Sequence, residues 1–551
     1  MSTQADAAKL LVRTLEAEGV EYVFGIPGEE NIHFVQALDD SSIRYVLVRH
    51  EQGAAFMAEI YGRLTGRAGV ASATLGPGAI NLQLGVADAQ TNSTPVVAIS
   101  AQVGLDRIYK ESHQIVDLVS LFRPITKWSE LVPTPEALPE IVRKAFKTAQ
   151  TERPGAVYLA IPEDVESASV SVDLKPLPVN VVQPQEPSAA QIARAADVLA
   201  MAKQPVVLAG HGATRAHASE ALVHFSEKLG LPVATTFNGK GVFPDDHRNA
   251  LGAVGFMRHD YVNFGFDEAD VLIAVGYELQ EFDPVKVNPN ADKKIIHIHA
   301  MPAEVDDHYP VEVGIQGDIS RSLRALGDAV HRRWDVNGTG RRIRELMRDE
   351  LAQGRSEDGF PLSPRRIVAD VREAMGREDI VLADTGAVKM WMARMYPTYE
   401  PNTLLVSNGL SSMGFSVPGA LAAKLAHPER RVLAATGDGA FLMNSQELET
   451  AVRENIPITV LIWEDDAYGL IEWKMDLEMG RSSNIKFGNP DFVAYAESFG
   501  AHGYRVNSAD ELLPTLRKAL ADEGVSVVTV PVDYSHNMQL TDKLGELTDP
   551  F

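Results

Sequence analysis

Residues Gly437–Ile471 read GDGAFLMNSQELETAVRENIPITVLIWEDDAYGLI. They begin directly after Val432–Thr436, a short apolar run with the length and composition of a buried strand. Gly437 and Gly439 let the backbone turn tightly and approach a ligand closely. The helical pattern that follows directs its N-terminal N–H groups back at that turn, an arrangement that suits a phosphate. Asp438, between the two glycines, is then placed to hold a divalent cation. A second apolar run, Ile458–Trp463, delivers Glu464, Asp465 and Asp466 at its carboxyl end, where ligands of doubly wound sheets bind. Asp465 follows Asp438 by 27 residues, the span of one strand–helix–strand unit, so the two carboxylates are expected side by side. With a carbonyl, a water and two phosphate oxygens they would form the octahedral oxygen set that Mg2+ prefers. A bare GDG reads as a turn; the strand before it, the helix after it and the acids on the next strand end favour the cation reading.

The same alternation runs outward through the chain. Short apolar runs occur at Glu21–Gly25, Val70–Thr74, Val96–Ser100 and Ala156–Ile161, then at Pro205–Ala209, Val271–Val275 and Lys294–His299, and finally at Ile380–Ala383 and Val525–Val530. Helical patterns such as Glu51–Thr65 lie between them, which predicts parallel sheets covered on both faces. Asp173–Pro187 is rich in proline and lacks helical period, as an extended linker would. Leu351–Pro364 carries glycine, serine and proline and reads as a second linker. The expected organisation is three doubly wound parallel-sheet α/β domains at 1–172, 188–340 and 360–551, since 551 residues exceed a single core.

Composition removes several functional classes. There is no cysteine, hence no disulfide, thiolate metal site or cysteine nucleophile. A net charge of −24 repels nucleic acid and anionic membrane, so neither is an expected partner. No run approaches the roughly 20 apolar residues of a membrane span, and the charged amphipathic N-terminus is unlike a signal peptide, so a cytoplasmic location is expected. An anionic substrate must find a local cation or metal within this acidic field.

A second constellation, RHEQGAAFMAEIYGRLTGR at Arg49–Arg67, follows the strand-like run Arg44–Val48 and opens a helix with Glu51 in its first turn. Alone, such a glutamate is a helix-dipole residue. Together with FGIPG at Phe24–Gly28, TLGPG at Thr74–Gly78 with Asn81, SSMG at Ser411–Gly414 and the GDG segment, it resembles the thiamine-diphosphate-dependent enzymes, and over nearly the whole chain it is most similar to acetolactate synthase large chains. The resemblance implies an N-terminal pyrimidine-binding domain and a C-terminal domain binding diphosphate and Mg2+. It implies that Glu51 hydrogen-bonds the aminopyrimidine and favours the tautomer that removes the C2 proton. It further implies that Asp438, Asp465 and the Ala467 carbonyl hold Mg2+, and that Met413 props the bent cofactor. Cofactor contacts follow at Gly28, Gly76, Asn81, Gly386, Ala387, Gly437, Gly439, Ala440, Tyr468 and Gly469. The usual asparagine of the metal set is Asp465 here.

Within the family, His113–Gln114 in KESHQIVDLVSLFRPITKW and GYELQEFDP at Gly276–Pro284 resemble the flavin-free, catabolic-like branch; bound FAD is not expected, and a bare GHG at Gly210–Gly212 is weak support for a nucleotide. The implied reaction decarboxylates pyruvate and ligates the hydroxyethyl unit to a second 2-oxo acid, giving 2-acetolactate. The alternative is another thiamine-diphosphate-dependent carboligase, lyase or 2-oxo acid decarboxylase. Gln114 would orient substrate, with His113 beside it. Lys474 stands where biosynthetic relatives carry tryptophan, and is either a partner for a substrate carboxylate or a surface lysine. Glu29, Glu30 and Asn31 replace small residues expected near the substrate, and Val388 a frequent histidine. The family places Glu51 and the diphosphate site on neighbouring subunits, so a homodimer is the minimum and a homotetramer the expected assembly.

Overall fold

In a computed structural model the chain is described over residues 4–171, 173–180, 184–254, 260–335 and 338–537. The valine-, isoleucine- and alanine-rich runs form three six-stranded sheets, each parallel throughout. In the first, the spatial order is Arg44–Leu47, Tyr22–Gly25, Gly69–Ala73, Val96–Gln102, Ala156–Pro162 and Trp128–Leu131. The third repeats that topology with Leu404–Leu405, Ile380–Ala383, Val432–Gly437, Thr459–Glu464, Ser526–Pro531 and His502–Arg505. The central sheet differs: Ala250–Ala253, Val233–Thr235, Pro205–Ala209, Val271–Val275, Lys294–His299 and Val311–Gln316, the order of dinucleotide-binding folds.

Topology locates the sites before any side chain is considered. Ligands of open α/β sheets lie at the carboxyl ends of strands where the order reverses. In the first sheet that crevice falls between Tyr22–Gly25 and Gly69–Ala73, hence at Gly28 and Thr74–Gly76. In the third it falls between Ile380–Ala383 and Val432–Gly437, hence at Asp384–Gly386 and Gly437–Asp438.

The first and third domains share one core. Helix Glu51–Thr65 packs on Pro77–Thr91 and on Ser416–Ala426, burying Phe56, Ile60, Leu82, Phe415 and Leu421 together. Small residues permit the close approach: a Cβ at Gly85 would lie 2.5 Å from that of Ala55, and one at Gly419 would lie 2.9 Å from Ile60 Cγ1. Glu51 is thus mounted on a helix clamped between domains, which leaves it little freedom to drift.

Two expectations need correction. Leu351–Pro364 is not a free linker: the helix Gly338–Arg355 runs into it, packs on Pro364–Ala374 and sets Leu351 against the third core. Its dense charge hid the apolar stripe. The strands without a continuous apolar run were also missed, and most lie at sheet edges. Trp128–Leu131 is half-buried along its length, and Val311–Gln316 buries only alternate residues. Continuous apolar runs mark most of the buried strands, and half-covered edge strands such as these two carry no such run. Among the described residues no helix is long and apolar enough to cross a membrane.

Candidate active site

The third-domain crevice is a cleft lined by Gly386, Ala387, Val388, Met413, Gly437, Asp438, Gly439, Ala440, Asp465, Ala467, Tyr468, Gly469, Ile471 and Tyr534. Asp438 is 1% exposed. Its Oδ2 accepts the N–H groups of Asp465 (3.1 Å) and Asp466 (2.8 Å) and Nδ2 of Asn489 (2.7 Å), while Oδ1 accepts the Gly439 N–H at 2.8 Å. These bonds tie the two strand ends together and put the Asp438 and Asp465 carboxylates side by side. Burial, then the Asp438 charge, pushes the Asp465 carboxyl up to about 8. The buried Asp438 and half-buried Asp465 carboxyls, in a cleft that Ala467 also lines, offer hard oxygen donors of the kind a divalent cation takes.

The cleft also fits a diphosphate. A Cβ at Gly386 would meet open space, and one at Gly437 would meet only Val388 Cγ2, at 4.0 Å, so both glycines border room rather than packing. Gly386 precedes the helix Ala387–Met395, and Gly437 the helix Asp438–Asn444, so amide groups of two helix starts converge on that room. Gly469 serves a different end: a Cβ there would lie 2.4 Å from Asp465 Oδ2 and 2.9 Å from Tyr534 Cδ2.

Met413 is held by a polar scaffold that sequence reasoning missed. Asp384 accepts the Gly414 and Ser416 N–H groups (2.9 and 3.1 Å) and the Ser416 hydroxyl (2.6 Å). Asn444 donates to the Gly414 carbonyl at 2.8 Å. From the first domain, Asp88 Oδ1 accepts the hydroxyls of Ser407 (2.6 Å) and Ser412 (2.9 Å). Glu59 lies beside Asp88; burial and then the Asp88 charge hold its carboxyl well above the ordinary carboxylate range, and burial raises Asp88 as well. The turn carrying Met413 is therefore fixed from both domains, and Met413→Ala should cost cofactor retention about tenfold or more, read as the thiamine diphosphate concentration for half-maximal activity.

The first-domain crevice gathers Glu51, Asn81, Gly76, Gly78 and Thr74. Glu51 is 7% exposed and its Oε2 accepts from Asn81 Nδ2 at 3.0 Å. A Cβ at Gly78 would lie 3.1 Å from Glu51 Oε1 and 2.8 Å from Thr74 Cγ2. Gln114 arrives here too, its carbonyl oxygen 3.0 Å from a Cβ at Gly76. Gly28 packs against Thr74, Asn31 accepts the Gly28 N–H at 2.7 Å, and Glu30 accepts the Thr74 hydroxyl at 2.8 Å. His113 is exposed, and Lys474 is exposed on helix Gly469–Met479 beside Glu478 (3.8 Å). Neither lines the third-domain cleft, and neither does Glu51. One chain thus carries two half-sites, each at a switch point.

At the GHG turn of the central sheet the backbone donors are already taken. The Gly210 and Gly212 N–H groups bond the Val275 and Gly276 carbonyls, and the His211 N–H donates to the Glu281 carboxylate (2.9 and 3.1 Å). The amides of the GHG run are thus bonded within the protein, and the motif stays weak support for a nucleotide. Nearby, Glu152, Glu278 and His299 bring one potential ligand atom each within 4.8 Å of the others. Arg215 pairs with both carboxylates and Arg153 lies 3.2 Å from Glu278, so the negative charge there is met by guanidinium groups.

Comparison with known proteins agrees with this geometry. Residues 5–121 match the thiamine pyrophosphate enzyme N-terminal TPP binding domain, 192–326 the central domain and 384–530 the C-terminal TPP binding domain; the chain belongs to the thiamine pyrophosphate enzyme family. Within that family it is closely related to acetolactate synthase large subunits. It is 37% identical to a probable acetolactate synthase large subunit of Methanocaldococcus jannaschii, covering 98% of this chain and 94% of that one. It is 36% identical to the acetolactate synthase of Bacillus subtilis, over 98% and 96% of the two chains. The catabolic acetolactate synthase of Raoultella terrigena is likewise 36% identical, over 98% and 97%.

Proposed function

We propose that the chain is a flavin-free acetolactate synthase that converts two pyruvates into one 2-acetolactate and one CO2. The observation that carries this reading is the pair of intact half-sites, Glu51–Asn81 and Asp438–Asp465, in a chain similar to acetolactate synthases along its whole length. Bound thiamine diphosphate would supply the nucleophilic carbon and the electron sink. Asp438, Asp465 and the Ala467 carbonyl would hold Mg2+ at the diphosphate, for which Gly386 and Gly437 leave room. Glu51, oriented by Asn81, would hold and move a proton at the bound aminopyrimidine, and Met413, which lines the cleft, would support the cofactor there. Gln114, beside Gly76, orients substrate. The absence of flavin is supported by the Glu281 carboxylate and the carbonyls that occupy the GHG amides.

Glu51 stands outside its own chain's cleft, so a second copy completes each site. Exposed apolar side chains flank both halves, Ile80 and Leu84 after Gly76, Leu442 and Met443 after Asp438, as surfaces to be covered in a homodimer, with a homotetramer as the full assembly. The test is turnover of pyruvate by the protein with thiamine diphosphate and Mg2+, following CO2 and acetolactate together. One of each per two pyruvates is the expected result. CO2 without acetolactate would replace this reading with a decarboxylase or a carboligase of another acceptor.

A further inference from the structure

Glu447 is wholly buried, yet it is a carboxylate surrounded by donors. Its Oε1 accepts the Arg49 and His50 N–H groups, both at 3.1 Å; its Oε2 accepts the Thr450 hydroxyl at 2.6 Å and shares the Arg49 N–H at 3.3 Å. The two backbone N–H groups can only donate, which demands an acceptor at Oε1, whereas the Thr450 hydroxyl can donate or accept. Arg49 and His50 are the two residues before Glu51, and His50 is the N-cap of the helix that Glu51 opens. Helix starts are ordinarily capped by a neighbouring side chain. Here the His50 ring accepts the Gln52 N–H locally, at 3.1 Å, and a second anchor comes from another domain, 397 residues away. The approach is built into the helix as well, because a Cβ at Gly53 would lie 2.8 Å from Glu447 Oε1. Around this contact, Arg44 pairs with Glu454 at 2.5 Å and Arg453 donates to the Leu47 carbonyl, so the strand before Glu51 is held by the same helix, Glu447–Arg453.

The segment bearing Glu447 is continuous with the cofactor cleft. Along it, Asp438 lies at the cation set, Asn444 at the Met413 turn and Glu447 at the start of the Glu51 helix.

We propose that Glu447 is the positioning residue of Glu51: its carboxylate fixes the backbone on which the proton-transferring glutamate stands and ties that glutamate to the chain segment that holds the cation. The proposal rests on the catalytic reading of Glu51. A proton acceptor misplaced by about 1 Å loses on the order of a hundredfold in rate, so the effect falls on kcat and leaves substrate affinity alone.

The experiment compares Glu447→Ala and Glu447→Gln with the parent, each loaded with thiamine diphosphate and Mg2+. Amide hydrogen exchange across Arg49–Gly53 in the cofactor-free proteins is the second measurement. Glu447→Ala should lose protection at Arg49 and His50 and lower kcat about 10- to 100-fold, with KM for pyruvate unchanged. Glu447→Gln should recover most of both, because its amide oxygen can accept the two N–H groups while its NH2 donates to Thr450. The Ala change should cost nothing further in a Glu51→Gln background, whereas a merely structural role would lower the residual rate again. Unchanged protection in Glu447→Ala overturns the anchoring. Lost protection with parental kcat overturns its catalytic consequence. Full turnover by Glu51→Gln alone would remove the reading on which the proposal stands.

Discussion

Glu51→Gln should lower kcat/KM for pyruvate by about 10³- to 10⁴-fold, the range expected when a general acid–base group is lost, while the protein still folds and binds thiamine diphosphate with Mg2+. The argument for so large an effect is the narrowness of the substitution. The amide has the shape of the carboxyl, and its oxygen can still accept from Asn81 Nδ2, so the contact at 3.0 Å survives. The helix keeps its local cap at His50 and its remote anchor at Glu447, and the glutamate's favourable interaction with the helix N-terminus is worth only about 0.5 kcal/mol. The cation and diphosphate groups lie in another cleft that Glu51 does not line. What disappears is the ability to take up and return one proton. Melting temperature and cofactor titration should match the parent while CO2 release falls. Retained turnover would mean that the cofactor is activated without this carboxylate, and the assignment of the first-domain half-site would fail. A fall in cofactor binding equal to the fall in rate would instead make Glu51 a binding group.

The GDG crevice stands out in the sequence because a buried strand meets an unusual residue at its carboxyl end, whereas Glu51 follows the half-exposed edge strand Arg44–Leu47 and is singled out by resemblance to a family motif. Val432–Thr436 followed by GDG carries the apolar run and the polar exception next to each other in sequence. The scaffold around them was not legible, for a reason visible in its residues. Asp384 is an acid after Ile380–Ala383 with no local partner in sequence; its partners at Gly414 and Ser416 come from a turn some 30 residues on. Glu447 reads as an ordinary helix glutamate, and only the fold brings Arg49 and His50 to it. Asn489, which donates to Asp438 and to Asp466 at 2.7 Å each, lies in a loop without periodicity. Long-range polar anchors leave no local pattern, whereas strand and helix signals are local by nature. The same limit hides the bonding of the GHG run: the acceptor of the His211 N–H, Glu281, lies 70 residues away.

The second large effect is expected at Asp438, and it carries a pH dependence. Asp438→Asn should abolish turnover at ordinary Mg2+ concentrations and weaken Mg2+ binding by at least a hundredfold, because it removes one charge from a two-carboxylate donor set. The amide has a single oxygen for two jobs. Placed toward the Asp465 and Asp466 N–H groups and Asn489, it turns its NH2 onto the Gly439 N–H; flipped, it leaves those three donors without an acceptor. Either way a buried donor is stranded, at a cost of about 1–3 kcal/mol in stability. In the parent protein without cofactor, Asp465 is pushed up to about 8 from an ordinary value of 3.8, by burial first and by Asp438 second. Between those values the native protein keeps a proton that the unfolded chain has lost. Stability of the cofactor-free protein should therefore fall as pH rises through that window and level off above 8. Mg2+ needs the ionised carboxylate, so binding below pH 8 must expel the proton, and affinity should rise with pH by up to about tenfold per unit until Asp465 is ionised. Titrating Mg2+ in the presence of thiamine diphosphate at pH 6 and pH 8 tests both ends. Affinity independent of pH would mean that Asp465 binds the cation weakly or not at all, leaving Asp438 as the principal carboxylate ligand. In Asp438→Asn the neighbouring charge is gone, so the Asp465 carboxyl should titrate lower than in the parent, and whatever cation binding survives should reach its plateau at a lower pH.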